Sequence, residues 1–384
     1  MSIEMYIFQT FLISSALLLV VRHNYPLLRY QVLVWMVGVI GLASFYGFED
    51  QLGFYSNDQF LYVDVVSRLL SGSWPTSLSW WLGEAKAPFT LAAAPLVLMG
   101  INEALALKTV SLVSLLALSN SLISRSSSRT FSRQLQALFL TGCGLIGSFY
   151  SVLALRETMM MLFVFRFATA RSFAIRILTV PFLYLLRPHL AAVLVLAEIL
   201  VWLWQWMTDK RRIGAFEAPL LVTVGVIVGD YLYSWAFQRR TLGETPPFWD
   251  WGISEVTRIA SNFVGLQFLT NDESKLRLSV SELLLLRLVL SETLLIPTGM
   301  ILLMLFFGHR LRKRHQFTLM AFSLYVSIAT NTDFNSFRQN IPLMPLMGLV
   351  ILDAIEIRRA KLSSRVESST LTSTTHLATV PRGT

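Results

Sequence analysis

The charges of this chain are sorted by the apolar segments that separate them. Stretches long enough to cross a bilayer alternate with short polar loops, and the loops fall into two chemical sets. One set is almost purely basic: Arg22 and Arg29; Arg125, Arg129 and Arg133; Lys210, Arg211 and Arg212; Arg310, Arg312, Lys313 and Arg314; Arg358, Arg359 and Lys361. The other mixes acids, arginines, aromatics and prolines: 49–64, Arg156-Glu157, Arg187-Pro188-His189, 239–282 and 333–338. The positive-inside rule assigns the first set to the cytoplasm. The second set then faces outward, and it holds nearly every residue able to do chemistry.

Lipid is the solvent such a chain requires. Only 14% of residues are charged and 54% are hydrophobic, whereas a soluble domain carries about 25% charged residues. The net charge of +9 is scattered over short inner loops. There it sets orientation and meets anionic headgroups, so membrane lipids are expected partners and nucleic acid is not. The single cysteine, Cys143, excludes an intramolecular disulfide and a cysteine zinc site. Glu4 stands where a signal peptide would carry a basic residue, so 5–21 is expected to be a retained first span.

Backbone polar groups in lipid must pair within their own segment, so the expected fold is all-α, a polytopic transmembrane helix bundle. Spans are predicted at 5–21, 31–48, 103–124, 134–152, 154–170, 173–186, 189–207, 217–236, 282–306, 317–334 and 341–356, about eleven in all. The transmembrane domain covers 1–362, and the Ser/Thr-rich tail 363–384 is expected to be disordered and cytoplasmic. Two outer segments, 49–102 and 237–281, exceed simple connectors and are expected to supply juxtamembrane helices. Within the first, 87–101 is apolar but interrupted by Pro88 and Pro95, which suits a re-entrant or interfacial helix.

Four outer constellations carry chemistry. Ser56-Asn57-Asp58-Gln59-Phe60-Leu61-Tyr62 offers a carboxylate at the membrane surface, with Asp64 beyond it. Asp58 suits a general base acting on a hydroxyl, and it equally suits the N-cap of the helix that follows. Arg156-Glu157, Arg187-Pro188-His189 and Arg338 lie at outer span ends. Arginine presents a fixed fork of donors that matches phosphate oxygens. Any one of these arginines also suits snorkelling to headgroups, but three on one face point to an anion site. Charges inside spans, Arg166 and Glu198 among them, should find partners or lie near an interface. The five histidines are split between the two faces and make no metal set. No metalloprotease, nucleophile-elbow or phosphate-loop motif occurs.

The order of these segments resembles the C-type integral-membrane glycosyltransferases. The resemblance runs over 49–356 in short motifs. Asn57-Asp58-Gln59-Phe60-Leu61-Tyr62 leads through Leu70-Ser71-Gly72 to Lys86-Ala87-Pro88 and Leu98-Met99-Gly100. Leu155-Arg156-Glu157 and Leu186-Arg187-Pro188 follow, and Arg338 precedes Pro342 and Pro345. The resemblance implies a sugar donor linked to polyprenyl phosphate, a glycan or lipid-linked acceptor, and Asp58 as the catalytic base. It implies Asp64, Lys86, Arg156, Glu157, Arg187, His189 and Arg338 as substrate-binding residues. Gln59 stands where many members carry a second acid, so no metal or other cofactor is expected. The same features also suit an O-antigen or exopolysaccharide polymerase acting on polyprenyl-diphosphate-linked glycans. A transporter of lipid-linked glycans is the non-enzymatic reading. The expected location is the bacterial plasma membrane, with the site on its extracytoplasmic side.

Overall fold

The computed structural model describes residues 2–21, 25–46, 56–73, 85–125, 131–208, 313–331 and 341–353, with isolated positions at 77, 80, 81, 355, 356 and between 217 and 231. Among these residues the chain is helical and contains no strand. The helices are α1 (Ile3–Val20), α2 (Pro26–Tyr46), α3 (Ser56–Leu70), α4 (Ala87–Leu98), α5 (Glu103–Arg125) and α6 (Phe131–Leu140). They continue as α7 (Leu145–Val152), α8 (Glu157–Thr169), α9 (Phe173–Leu186), α10 (Pro188–Thr208) and α11 (Lys313–Asn331). The last, α12 (Ile341–Asp353), opens as a 3-10 turn at Ile341–Leu343. Among the described residues, four stretches are long and apolar enough to cross a membrane: Ile3–Val20, Pro26–Phe45, Glu103–Ser124 and Pro188–Met207.

α5 is the hub. Of its most apolar window 78% is buried, against 22% for α1, so α5 forms the axis and α1 the rim. α5 packs against α1, α2, α3, α4, α6, α7 and α8, while α10 packs against α9 and α11. Side-chain donors lock these helices where their backbones lack partners. Trp35 Nε1 donates to the Ser151 carbonyl at 3.2 Å, and Gln31 Nε2 donates to the Cys143 carbonyl at 2.8 Å. At the far end of the bundle, Gln205 Nε2 donates to Gln316 Oε1 at 2.8 Å, and His315 lies 3.5 Å from Asp353. The end of α10, the start of α11 and the end of α12 therefore meet beside the basic Lys313.

Three expectations change. The predicted span 134–152 is two helices, because Thr141-Gly142-Cys143-Gly144 turns the chain between α6 and α7. Gly142 adopts φ 70° there and accepts a hydrogen bond from Gly147 N at 2.8 Å. Apolarity concealed this break; the two glycines were its only sequence mark. Second, Asp58 is the third residue of α3, which begins at Ser56, so it lies inside the first turn and is not the cap. Its charge still complements the helix dipole, as does Arg68 in the last turn. Third, α8 and α9 hold 13 and 14 residues, about 20 and 21 Å, which is short of the ~30 Å hydrocarbon core. The interrupted 87–101 stretch is a 12-residue helix, α4, with Pro95 inside it, packed on α3, α5 and α9. Of the remaining predictions, 282–306, most of 217–236, the outer segment 237–281 and the tail 363–384 lie outside the described residues.

The Gly142 turn yields a test. A Cβ there would lie 2.7 Å from Met344 Sδ, on a backbone conformation that side chains disfavour. Gly142→Ala should destabilise the protein by at least about 1 kcal/mol. Gly41→Ala, where a Cβ meets nothing within 4 Å, should be neutral or slightly stabilising. Thermal melting of the two purified variants checks the contrast, and equal melting would show that the turn tolerates a side chain.

Candidate functional site

The site is built on the turn that joins α7 to α8. Leu153, Ala154, Leu155 and Arg156 reverse the chain, and Ala154 adopts φ 55°, a left-handed conformation costly for a residue with a Cβ. Two hydrogen bonds to α5 hold the turn. Ser111 Oγ donates to the Leu155 carbonyl at 2.6 Å, and Thr158 Oγ1 donates to the Ser111 carbonyl at 2.9 Å. The turn thereby presents Arg156 and Glu157 on consecutive residues, at the N-terminus of α8.

Arg156 is anchored from two sides. Its Nη1 donates to the Leu186 carbonyl at 2.7 Å, satisfying an acceptor at the end of α9. Its guanidinium carbon lies 6.0 Å from the centre of the Tyr62 ring, within cation–π range. Tyr62 is buried and meets Phe89 of α4 edge-on at 5.4 Å. Asp58 is one turn before Tyr62, so the two share a face of α3 with Cβ atoms about 6 Å apart. Helix α3 thus brings the candidate base to the side of the bundle where Arg156 stands.

Arg187 is buried, whereas Arg156 is half-buried. It occupies the link between α9 and α10, where Pro188 forbids one continuous helix. Its Nη2 lies 3.8 Å from Glu157 Oε1, with the two side chains 7% and 0% exposed. Its Nη1 is 3.5 Å from the Tyr325 hydroxyl of α11. The His189 ring is tilted against Tyr325 at 6.2 Å, and the charges of Arg187, Arg156 and Lys86 all act on it. Lys86 precedes α4 at φ 47°, a second strained backbone in the same neighbourhood. Lys86, Arg156 and Arg187 therefore lie around His189, and Glu157 is the acid that faces Arg187.

Other predicted residues are placed elsewhere. Asp64 pairs with Arg68 at 2.8 Å in an i,i+4 ion pair, both side chains 52% exposed, on another face of α3 from Tyr62. Arg338 lies outside the described residues. Glu198 pairs with Arg176 at 2.9 Å, and Arg166 is exposed in the last turn of α8. Among the described residues, no group of three or more His, Cys, Asp or Glu is close enough to hold a metal ion.

The structure adds residues that the linear pattern did not single out. Ser111 and Thr158 fix the turn, and Tyr325 contacts Arg187 from a helix 138 residues away. Lys108 is fully buried in α5, 5.8 Å from the centre of the Tyr6 ring. A lysine five residues into an apolar span was a readable signal. Tyr325 carried none, because nothing in the sequence couples it to Arg187. Compared with known protein families, with curated proteins and with solved structures, the chain gives no match.

Proposed function

We propose that this protein is a membrane glycosyltransferase that moves a sugar from a polyprenyl-phosphate-linked donor to an acceptor hydroxyl. The observation that carries the reading is the convergence of Lys86, Arg156, Arg187 and His189, with Asp58 one turn from the Tyr62 ring that supports Arg156. In this reading the chain crosses the bacterial plasma membrane about eleven times, and its site opens to the extracytoplasmic side. The cation-rich loops argue for that orientation.

The chemistry is a single displacement. Asp58 accepts the proton of the acceptor hydroxyl while its oxygen attacks the anomeric carbon. The bond from that carbon to the phosphate oxygen breaks, and the configuration inverts. Arg156, Arg187 and Lys86 stabilise the negative charge that grows on the departing polyprenyl phosphate. Arg338 belongs to the same proposed set.

Purified protein in detergent, given a polyprenyl phosphate carrying a radiolabelled sugar and a mixture of lipid-linked and free glycan acceptors, should form a glycosidic bond. Movement of labelled lipid between leaflets of proteoliposomes, without bond formation, would replace the enzymatic reading by the transport reading.

A further inference from the structure

An ion pair fixes the register of the α9–α10 hairpin. A single residue, Arg187, joins the two helices, and they pack against each other. Arg176 stands eleven positions before Arg187 and Glu198 eleven positions after it, and their side chains meet at 2.9 Å. The two arms therefore run antiparallel and level. Helix α9 has 14 residues and α10 has 21, so α10 continues past the start of α9 by about seven residues, about 10 Å. Arg176 Nε also donates to the Ala170 carbonyl at 3.1 Å, which ties the link between α8 and α9 to the same level. The foot of the hairpin, 170–172, thus lies beside the middle of α10 and short of Thr208. This is the end of the bundle at which Gln205 meets Gln316, beside Lys313.

The side chains around the foot are of two kinds. Trp202 and Trp206 follow Glu198 at successive i,i+4 positions, down the side of α10 from which Glu198 meets α9. Beyond the start of α9 they lose that neighbour, and they are 57% and 72% exposed. The other kind is cationic. Ala170 N donates to the Arg166 carbonyl at 2.9 Å, closing the last turn of α8 and keeping Arg171 within a side chain's reach of Arg166. Both arginines are exposed, and neither side chain has a protein partner among the described residues.

We propose that the foot of the α8–α9 hairpin binds one phospholipid of net negative charge. Its headgroup fills the step below the foot, against Arg166 and Arg171 on one wall and Trp202 and Trp206 on the other. An acyl chain lies along the exposed Phe173 and Ile177 of α9. A hairpin about 10 Å short of α10 leaves hydrocarbon thickness uncrossed, and the bilayer closes such a gap by drawing headgroups inward. Arginine forks match the phosphate oxygens that arrive there, and tryptophan is at home at headgroup level. Charge then selects among lipids. A zwitterionic headgroup brings its own cation towards the two arginines, whereas an anionic one does not. Soluble phosphate has the charge but gains nothing from the apolar walls.

The full chain in dodecyl maltoside, titrated with phosphatidylglycerol or phosphatidylcholine and read by native mass spectrometry, tests the site. The first phosphatidylglycerol should bind at least about tenfold more tightly than the first phosphatidylcholine. Arg166→Gln with Arg171→Gln should abolish that preference. Arg29→Gln with Arg133→Gln removes two exposed cations elsewhere in the basic set and should leave it intact. Glycerol phosphate in excess should not displace the bound phosphatidylglycerol. Equal affinity of the parent for the two lipids would overturn the proposal. So would equal losses in the two double variants, which would mean diffuse attraction to the whole basic end. Displacement by glycerol phosphate would assign the arginines to a soluble anion and overturn the lipid as their ligand.

Discussion

Asp58→Asn is expected to lower sugar transfer by about 10²–10⁴-fold while the protein remains folded. Asparagine matches aspartate in size but does not accept a proton from a hydroxyl. The structure sharpens the test, because Asp58 lies within the first turn of α3 and its replacement removes no N-cap. One contribution that asparagine weakens is the favourable interaction with the helix dipole, about 0.3–1 kcal/mol. Melting temperature should therefore barely move while turnover collapses. Transfer near the parent rate would remove Asp58 as the base and direct attention to Glu157. Asp64→Asn is the matched control. Its carboxylate is tied to Arg68 on a solvent-facing surface, so transfer should stay within about twofold of the parent, in line with the small worth of exposed pairs.

The second large effect is expected in stability. Glu157→Leu removes the acid that faces Arg187 and leaves a buried guanidinium against an apolar side chain. Breaking one partner of a buried pair costs about 3–5 kcal/mol. Arg187→Met alone should be costly for the converse reason. The double variant should recover most of the loss, because removing both charges also removes their desolvation penalty. Thermal melting followed by tryptophan fluorescence gives the comparison. Additive losses in the double variant would mean that the 3.8 Å contact is not energetically coupled. The recovered protein should still transfer sugar poorly, since Arg187 is assigned to the phosphate. That combination, stable but inactive, separates the structural role of the pair from its role in binding.

Much of the helical layout was legible because lipid imposes a simple rule. An apolar run of sufficient length becomes a helix, and 173–186 was read to its observed ends. The break at Gly142 escaped because a turn buried among helices keeps an apolar sequence. The site was partly legible for a related reason. Arg156 and Arg187 could be placed on one face from loop polarity alone, and they do share a neighbourhood. What loop polarity does not give is depth or partner. Glu157 faces Arg187 at 3.8 Å, across the link between two other helices, while Arg156 Nη1 reaches the Leu186 carbonyl. The six-residue spacing already set Asp64 on a different helix face from Asp58, and there it pairs with Arg68.

Gln9 has a consequence for how the protein is made. Its side-chain amide donates to the Gly100 carbonyl at 2.8 Å and accepts from Asn102 N at 3.1 Å, across 91 and 93 positions of chain. At about 5–20 residues per second, the ribosome needs roughly 5–20 s to deliver those partners after Gln9 itself has been made. During that interval the first helix is already apolar enough to enter the bilayer, but its amide and the polar row Tyr6, Thr10 and Ser14 have no α5 to cover them. Insertion and final assembly are thus separated in time: α2 packs on the first helix early, and the partners of Gln9 arrive later. A chain interrupted before Glu103 would hold a first helix packed on α2 but lacking the Asn102 and α5 contacts that complete its polar side.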